Sequence, residues 1–179
     1  MSKVFVIPDV HLKPWMFDKA EELFSRSEYD KIVCLGDLVD DWDQEKNLGL
    51  YSETFDALER FINRHPNFLL CYGNHDVSYI WEARESGYSD YARRVVIEGL
   101  SKLEKCVSAG NIAYIHRIDN VLFSHAGLTE VLRYGINSKL EPLSENYKFY
   151  IDNLIQNTMF LFNVLDEYVV HANIFRKNI

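Results

Sequence analysis

The sequence predicts a layered α/β domain with a parallel sheet at its core, and three observations carry that expectation. Apolar runs of four residues begin at Val4, Ile32 and Phe68, segments of helical periodicity separate them, and Pro or Gly closes each run. Val4–Ile7 reads as a buried strand closed by Pro8. Phe17–Phe24 then repeats its apolar residues at helical spacing. Ile32–Leu35 is the second strand, stopped by Gly36, and Thr54–Arg64 a second helix with Phe55, Leu58, Phe61 and Ile62 on one side. Asn67 leads into the third strand, Phe68–Cys71, ended by Gly73. Strands alternating with helices join in parallel through right-handed crossovers, and such sheets take their ligands at the strand ends.

The pattern changes beyond residue 105. Ile112–Ile115 and Val121–Ser124 flank a polar link with Asp119-Asn120 near its tip, which predicts a β-hairpin. Ile151, Leu154, Ile155, Met159, Phe162, Leu165 and Val169 follow steps of three and four, which predicts a core-packing helix over 145–170. With no repeat, low-complexity tract or Gly/Ser-rich linker, residues 1–179 read as one domain. Its motifs lie within 3–133 and a mostly helical segment covers 136–179.

Of the 179 residues 47% are apolar, enough for a buried core, and the net charge of −8 argues against binding duplex nucleic acid. A small phosphorylated substrate stays open, because bound cations reverse a local field. Cys34 and Cys71 lie inside apolar runs and read as small buried hydrophobes; with Cys106 they form no C-x-x-C pair. The apolar start, Val4–Ile7, is too short for a signal peptide, and no stretch approaches the ~20 apolar residues of a membrane helix. The expected location is cytoplasmic, without membrane contact.

Each strand end delivers a possible metal ligand. Asp9-Val10-His11 follows the first strand, and residues two apart in extended chain point the same way, so a carboxylate and an imidazole can share an ion; a surface turn is the plain alternative. Gly36-Asp37-Leu38-Val39-Asp40 follows the second. There glycine permits a sharp turn, Asp37 can bridge two cations and Asp40 can reach back, although a polar loop with a helix cap has the same composition. Gly73-Asn74-His75-Asp76 follows the third, with an amide oxygen that can ligate while His75 stays free. Ser124-His125-Ala126-Gly127-Leu128 ends the hairpin; its small residues leave room for an ion or a phosphate, where a lone His would more often be a hydrogen-bonded core residue. Four unrelated turns rarely produce this order and spacing together.

In these four segments the sequence resembles the calcineurin-like metallophosphoesterase superfamily, the last segment being closest to the protein serine/threonine phosphatase and diadenosine tetraphosphatase branch. The resemblance runs from about residue 3 to residue 133 and implies a two-sheet β-sandwich flanked by helices, with two divalent metal ions at the strand ends. It makes Asp9, His11 and Asp37 ligands of the first ion, with Asp37 bridging to a second held by Asn74 and His125. His75, oriented by Asp40, would face the phosphate as the catalytic pair. Two cations ~3.5–4 Å apart polarise phosphoryl oxygens and hold a hydroxide for in-line attack, and a His beside a carboxylate can protonate the leaving group. Oxygen and nitrogen donors without thiolate suit manganese, iron or zinc and give little to choose between them; manganese is the ion expected first.

The departures from the family pattern also bear on function. The family's later Gly-His segment has no counterpart after His125, so the second sheet is expected to be incomplete. His171, in Val169-Val170-His171-Ala172, is the only later histidine, expected on a helix face with a substitute ligand as the alternative. Asp41 and Tyr72 stand where protein phosphatases of the family carry phosphate-gripping arginines, and Arg84, Arg93, Arg94 and Arg117 read as surface salt-bridge residues that could compensate. Trp42, Tyr72, Tyr79 and Trp81 could wall a leaving-group site, with ordinary packing the default for each. The expected activity is hydrolysis of phosphate monoesters, from a small molecule or a phosphoprotein. A phosphodiesterase or dinucleoside polyphosphate hydrolase, and a catalytically inactive metal-binding relic, are the alternatives.

Overall fold

The computed structural model describes residues 2–26, 28–82, 84–108 and 110–126, and the backbone of 169–171. The elements run β1 (Val4–Ile7), α1 (Trp15–Phe24), β2 (Lys31–Cys34), α2 (Leu48–Arg64), β3 (Phe68–Cys71), α3 (Asn74–Trp81), α4 (Arg93–Cys106), β4 (Ile112–Ala113), β5 (Ile115–Ile118), β6 (Val121–Ser124) and β7 (Val169–His171). Strands β1 to β4 form one parallel sheet in chain order, and β5, β6 and β7 form a second. The α/β class expected from the sequence is the one found.

Local chemistry sets the element ends. Pro14, with no N–H to lose and a fixed φ near −57°, opens α1. The Asn47 side chain accepts the Leu50 N–H at 3.3 Å and starts α2 six residues earlier than the apolar periodicity predicts. Period-two alternation then divides the strand residues between two cores. Ile32 and Cys34 face the helices, packing with Phe17, Leu58 and Phe61, whereas Val33 and Leu35 face the second sheet with Cys71, Ile118 and Phe123. Burying each large side chain contributes about 1.5–3 kcal/mol, and Phe61→Ala would cost about 3–5 kcal/mol. Val96, Leu100 and Leu103 of α4, a helix the sequence reading did not anticipate, join the same core from beside α2.

Two expectations need correction. Ile112–Ile115 is not one arm of the hairpin. Ile112 and Ala113 pair in parallel with Leu70 and Cys71, and the chain changes sheets at Tyr114, so the arm opposite Val121–Ser124 is Ile115–Ile118. An apolar run carries no mark of which sheet each half joins. The helix expected over 145–170 lies outside the described residues up to 168, but Val169–His171 is a strand, parallel to β6 with His171 opposite Ser124. The free edge of β6 accepts a third strand, and β-branched Val169 and Val170 suit it. All the strands of the first sheet point the same way, so the loops after β1, β2 and β3 emerge at one edge, beside the end of β6.

Candidate metal centre

The strand-end loops are stitched to one another before any ligand is considered. His11 N–H and Leu12 N–H donate to the carbonyls of Asp37 and Leu38 at 2.7 and 3.1 Å. Asp76, fully buried, accepts the N–H of Leu38 at 2.8 Å and of Gly73 at 2.9 Å, tying the second loop to the third. Burial, with the Asp37 charge beside it, pushes the Asp76 carboxyl up to about 7. Gly36 turns with φ +91°, and a Cβ there would strike the Cys71 carbonyl; one on Gly73 would strike the Asp37 carboxylate. His11, Asp37 and Asp40 all hold left-handed backbone, at φ of 42°, 47° and 64°, which non-glycine residues adopt only under constraint. The expected reason for the Asp9 and His11 pairing is therefore wrong: β1 ends at Ile7, and a turn rather than extended chain aims the two side chains.

Asp37, 0% exposed, is the centre of the arrangement. Its Oδ1 accepts the His75 N–H at the start of α3 (2.9 Å), where the helix N-terminus favours negative charge. Its Oδ2 lies 3.1 Å from His125 Nε2 and 3.5 Å from His11 Nε2. Asn74 Oδ1 is 3.0 Å from the same His125 Nε2, and Asp9 Oδ1 is 3.5 Å from His125 Nδ1. The five residues proposed as ligands from sequence thus converge. Donor atoms form two groups within 4.8 Å, Asp9–Asp37–His125 and His11–Asp37–His75, which share Asp37. The resemblance instead pairs Asp9 with His11 at one ion and keeps His75 out of the ligand set.

The tautomers sharpen this picture. His125 Nδ1 lies 3.0 Å from the Leu35 carbonyl and His11 Nδ1 lies 2.8 Å from the Asp40 carbonyl, contacts in which only the nitrogen can donate. In the neutral rings each Nε2 is then a lone pair, and both face Asp37 Oδ2, a buried oxygen with no hydrogen-bond donor among the described residues. Lone pairs gathered round a dry carboxylate need a cation or a proton between them. Without a metal, burial opposes the His125 charge, but Asp37 and then Asp9 outweigh it and raise its pKa. Likewise, burial works against the Asp37 carboxylate, yet His125 and the His75 N–H hold its pKa below the usual value.

Asp40 points away from this centre. Its Oδ2 is 3.2 Å from His75 Nδ1, and its Oδ1 accepts the Tyr79 hydroxyl at 2.5 Å and the Tyr51 hydroxyl at 3.0 Å. Burial disfavours the His75 imidazolium, but the Asp40 bond and the Asp37 charge prevail and raise its pKa. A cleft of 420 Å³ opens beside His75, lined by His11, Lys13, Asp41, Trp42 and residues 85–87 among others. Lys13 is the one Lys or Arg among the lining residues, and its Nζ donates to the His11 carbonyl and to Asp41, each at 2.9 Å. Arg84, Arg93 and Arg94 pair with Asp90, Glu82 and Glu98, and Arg117 donates to the Asp119 carbonyl; none lines the cleft. Of the four aromatic residues only Trp42 does. Tyr79 is buried against Tyr88, while Tyr72 and Trp81 pack on Tyr114.

Sequence reasoning missed Tyr51 and Lys13, and it named Tyr79 and Asp76 without the bonds they make to Asp40, Leu38 and Gly73. Tyr79 follows His75 by four residues, one helical turn, and becomes legible once α3 is known to begin at Asn74. Lys13 stands two residues after His11, but nothing in the sequence reveals its partner.

A zone of strained loops at the carboxyl ends of parallel strands, built round a shared buried aspartate and imidazole lone pairs, defines a metal-dependent hydrolase class of site. Residues 2–172 match the calcineurin-like phosphoesterases, and the chain belongs to that family. No curated protein and no solved structure matches it. The family implies divalent metal ions, and the buried, donorless Asp37 Oδ2 between two Nε2 lone pairs fits them. Among the described residues no helix is long and apolar enough to cross a membrane.

Proposed function

We propose that this phosphoesterase hydrolyses phosphate monoesters, using two divalent cations of the manganese type, with iron or zinc able to replace it. The observation that carries the reading is the sharing of Asp37 by two groups of donors. On the partition the resemblance implies, which differs from those two groups, Asp9, His11 and Asp37 would hold one ion, and Asp37, Asn74 and His125 the other. Bound there, the ions would polarise the phosphoryl oxygens and activate water for in-line attack. The protein does the rest. The N-terminus of α3 and Lys13 offer positive potential to the phosphate, and the cleft accommodates the alcohol. His75 keeps Nδ1–H on Asp40, which leaves Nε2–H of its protonated form to be given to the departing alkoxide. β7 sets the backbone of His171 opposite Ser124, and His171 stays the candidate for a substitute ligand of the second ion.

The test is metal analysis of the purified chain with turnover measured in added Mn²⁺ on an aryl phosphate, a bis-aryl phosphate and diadenosine tetraphosphate. The expected result is two ions per chain and turnover of the monoester. Activity confined to the diester or to the dinucleotide overturns the monoesterase reading, and one ion or none without turnover makes the chain a relic.

A further inference from the structure

Asp40 is 1% exposed and lies within hydrogen-bond reach of three side-chain donors. His75 Nδ1 takes Oδ2, and both tyrosine hydroxyls take Oδ1. The direction of each bond is fixed. Tyr79 oxygen accepts the Ser89 N–H at 2.9 Å, so its single proton goes to Asp40. Tyr51, 0% exposed and also close to the carboxylate, can serve an anionic oxygen only as a donor. Burial, together with the Asp40 charge, raises the pKa of both phenols and keeps those protons in place.

The donors arrive from separate elements. Tyr51 comes from the first turn of α2, Tyr79 from α3, and Ser89 from the segment that also supplies Glu85, Ser86 and Gly87 to the cleft wall. Ser89 Oγ bonds the Glu45 carbonyl and accepts the Ala92 N–H at 3.0 Å, anchoring that segment to the chain just before α2. Asp40 itself holds left-handed backbone at φ 64°, so its side-chain direction depends on these bonds. Hydrophobic packing alone would not require two phenol oxygens to meet on one carboxylate oxygen.

We infer that Tyr51 and Tyr79 are positioning residues for leaving-group protonation: together they saturate Asp40 Oδ1 so that Oδ2 alone faces His75 and fixes the ring toward the cleft. The inference rests on the proposed role of His75. Losing one phenol would let the carboxylate rotate and the imidazole swing. Misorientation of an acid is felt most where the alcohol departs as a strong base.

The experiment measures kcat for a series of aryl and alkyl phosphates of rising leaving-group pKa, with manganese content and Tm, for wild type, His75→Asn, Tyr79→Phe and Tyr51→Phe. Each tyrosine variant should steepen the fall of log kcat with leaving-group pKa, with roughly 10- to 100-fold loss at the alkyl end and wild-type metal content. A wild-type slope in both tyrosine variants, whatever the change in rate or Tm, overturns the inference if His75→Asn is steep. A wild-type slope in His75→Asn instead overturns the role of His75 itself. Should Tyr79→Phe fail to fold, Tyr51→Phe tests the same oxygen from another helix.

Discussion

Replacing Asp37 with asparagine separates the fold from its metal. In the metal-free protein the substitution exchanges a carboxylate oxygen 3.1 Å from His125 Nε2 for a neutral amide, and Oδ1 continues to accept the His75 N–H. Asp37 and His125 each favour the charged form of the other, so losing that pairing should make Asp37→Asn in EDTA melt below wild type. Metal widens the gap. At 100 times its dissociation constant a bound ion contributes about 2.7 kcal/mol, which for a chain of this length raises Tm by roughly 5–11 °C. Wild type should show that rise with Mn²⁺ and the variant should not, because the variant lacks the anion shared by both groups. The assay is calorimetry or dye-monitored melting with and without Mn²⁺, with bound metal counted. An equal rise in both chains, or none in wild type, refutes the reasoning about Asp37.

The other predictions address separate links. Lys13→Gln should raise KM for an aryl phosphate roughly 10-fold, about 1.4 kcal/mol, with a smaller change in kcat, because the cleft loses its one Lys or Arg; unchanged KM and unchanged inhibition by inorganic phosphate would remove Lys13 from the binding site. His171→Ala should weaken the second ion at least about 10-fold in a titration followed by metal content, as loss of a donor requires, and an unaltered isotherm would return His171 to a structural role. His116 is buried, and burial lowers its pKa from 6.5 despite the bond from its Nε2 to the Leu70 carbonyl. The unfolded chain therefore binds the proton more readily, and this contribution to stability is present above 6.5 and lost as pH falls through the folded value. His116→Gln can keep the bond without titrating, so the urea midpoint of wild type should fall relative to the variant between about pH 7.5 and about pH 5. A constant difference would show that His116 does not titrate differently on folding.

The first three strands of the first sheet were legible because β2 and β3 are largely buried, and all three read as uninterrupted apolar runs ended by Pro8, Gly36 and Gly73. The meeting of Asp9, His11, Asp37, Asn74 and His125 was legible because all five stand just past apolar strands, and the strand ends come together. What lay beyond the sequence depends on tertiary contact. The change of sheet at Tyr114 follows from pairing with β3, and the strand at Val169–His171 follows from a vacant edge of β6. A period of three and four over 145–170 could not anticipate that edge. Asp40 announced a carboxylate in the second loop, but its neighbours Tyr51 and Tyr79 stand 11 and 39 residues away.

Of the seven non-glycine described residues with left-handed backbone, five lie in the loops after β1 and β2: His11, Leu12, Asp37, Asp40 and Asp43. His11, Asp37 and Asp40 each occupy left-handed backbone, and at about 1–3 kcal/mol apiece the three together cost about 3–9 kcal/mol, comparable to the whole stability of a domain. Inside the loop after β1 the Lys13 N–H and Nζ bond the Val10 and His11 carbonyls, but most of the restraint comes from outside each loop. The conformation persists because the loops are bound to one another through the Asp37 and Leu38 carbonyls and the Asp76 carboxylate, and because the strands beneath them are fixed by two cores. Asn74 and His125 pay no such penalty: one opens a helix, the other follows a strand, and neither has positive φ. The division has a physical reason. A single left-handed residue turns the chain abruptly, so Asp37 and His11 can aim side chains at one point from loops that otherwise run past each other, and a cation bound at that point would offset the strain of reaching it.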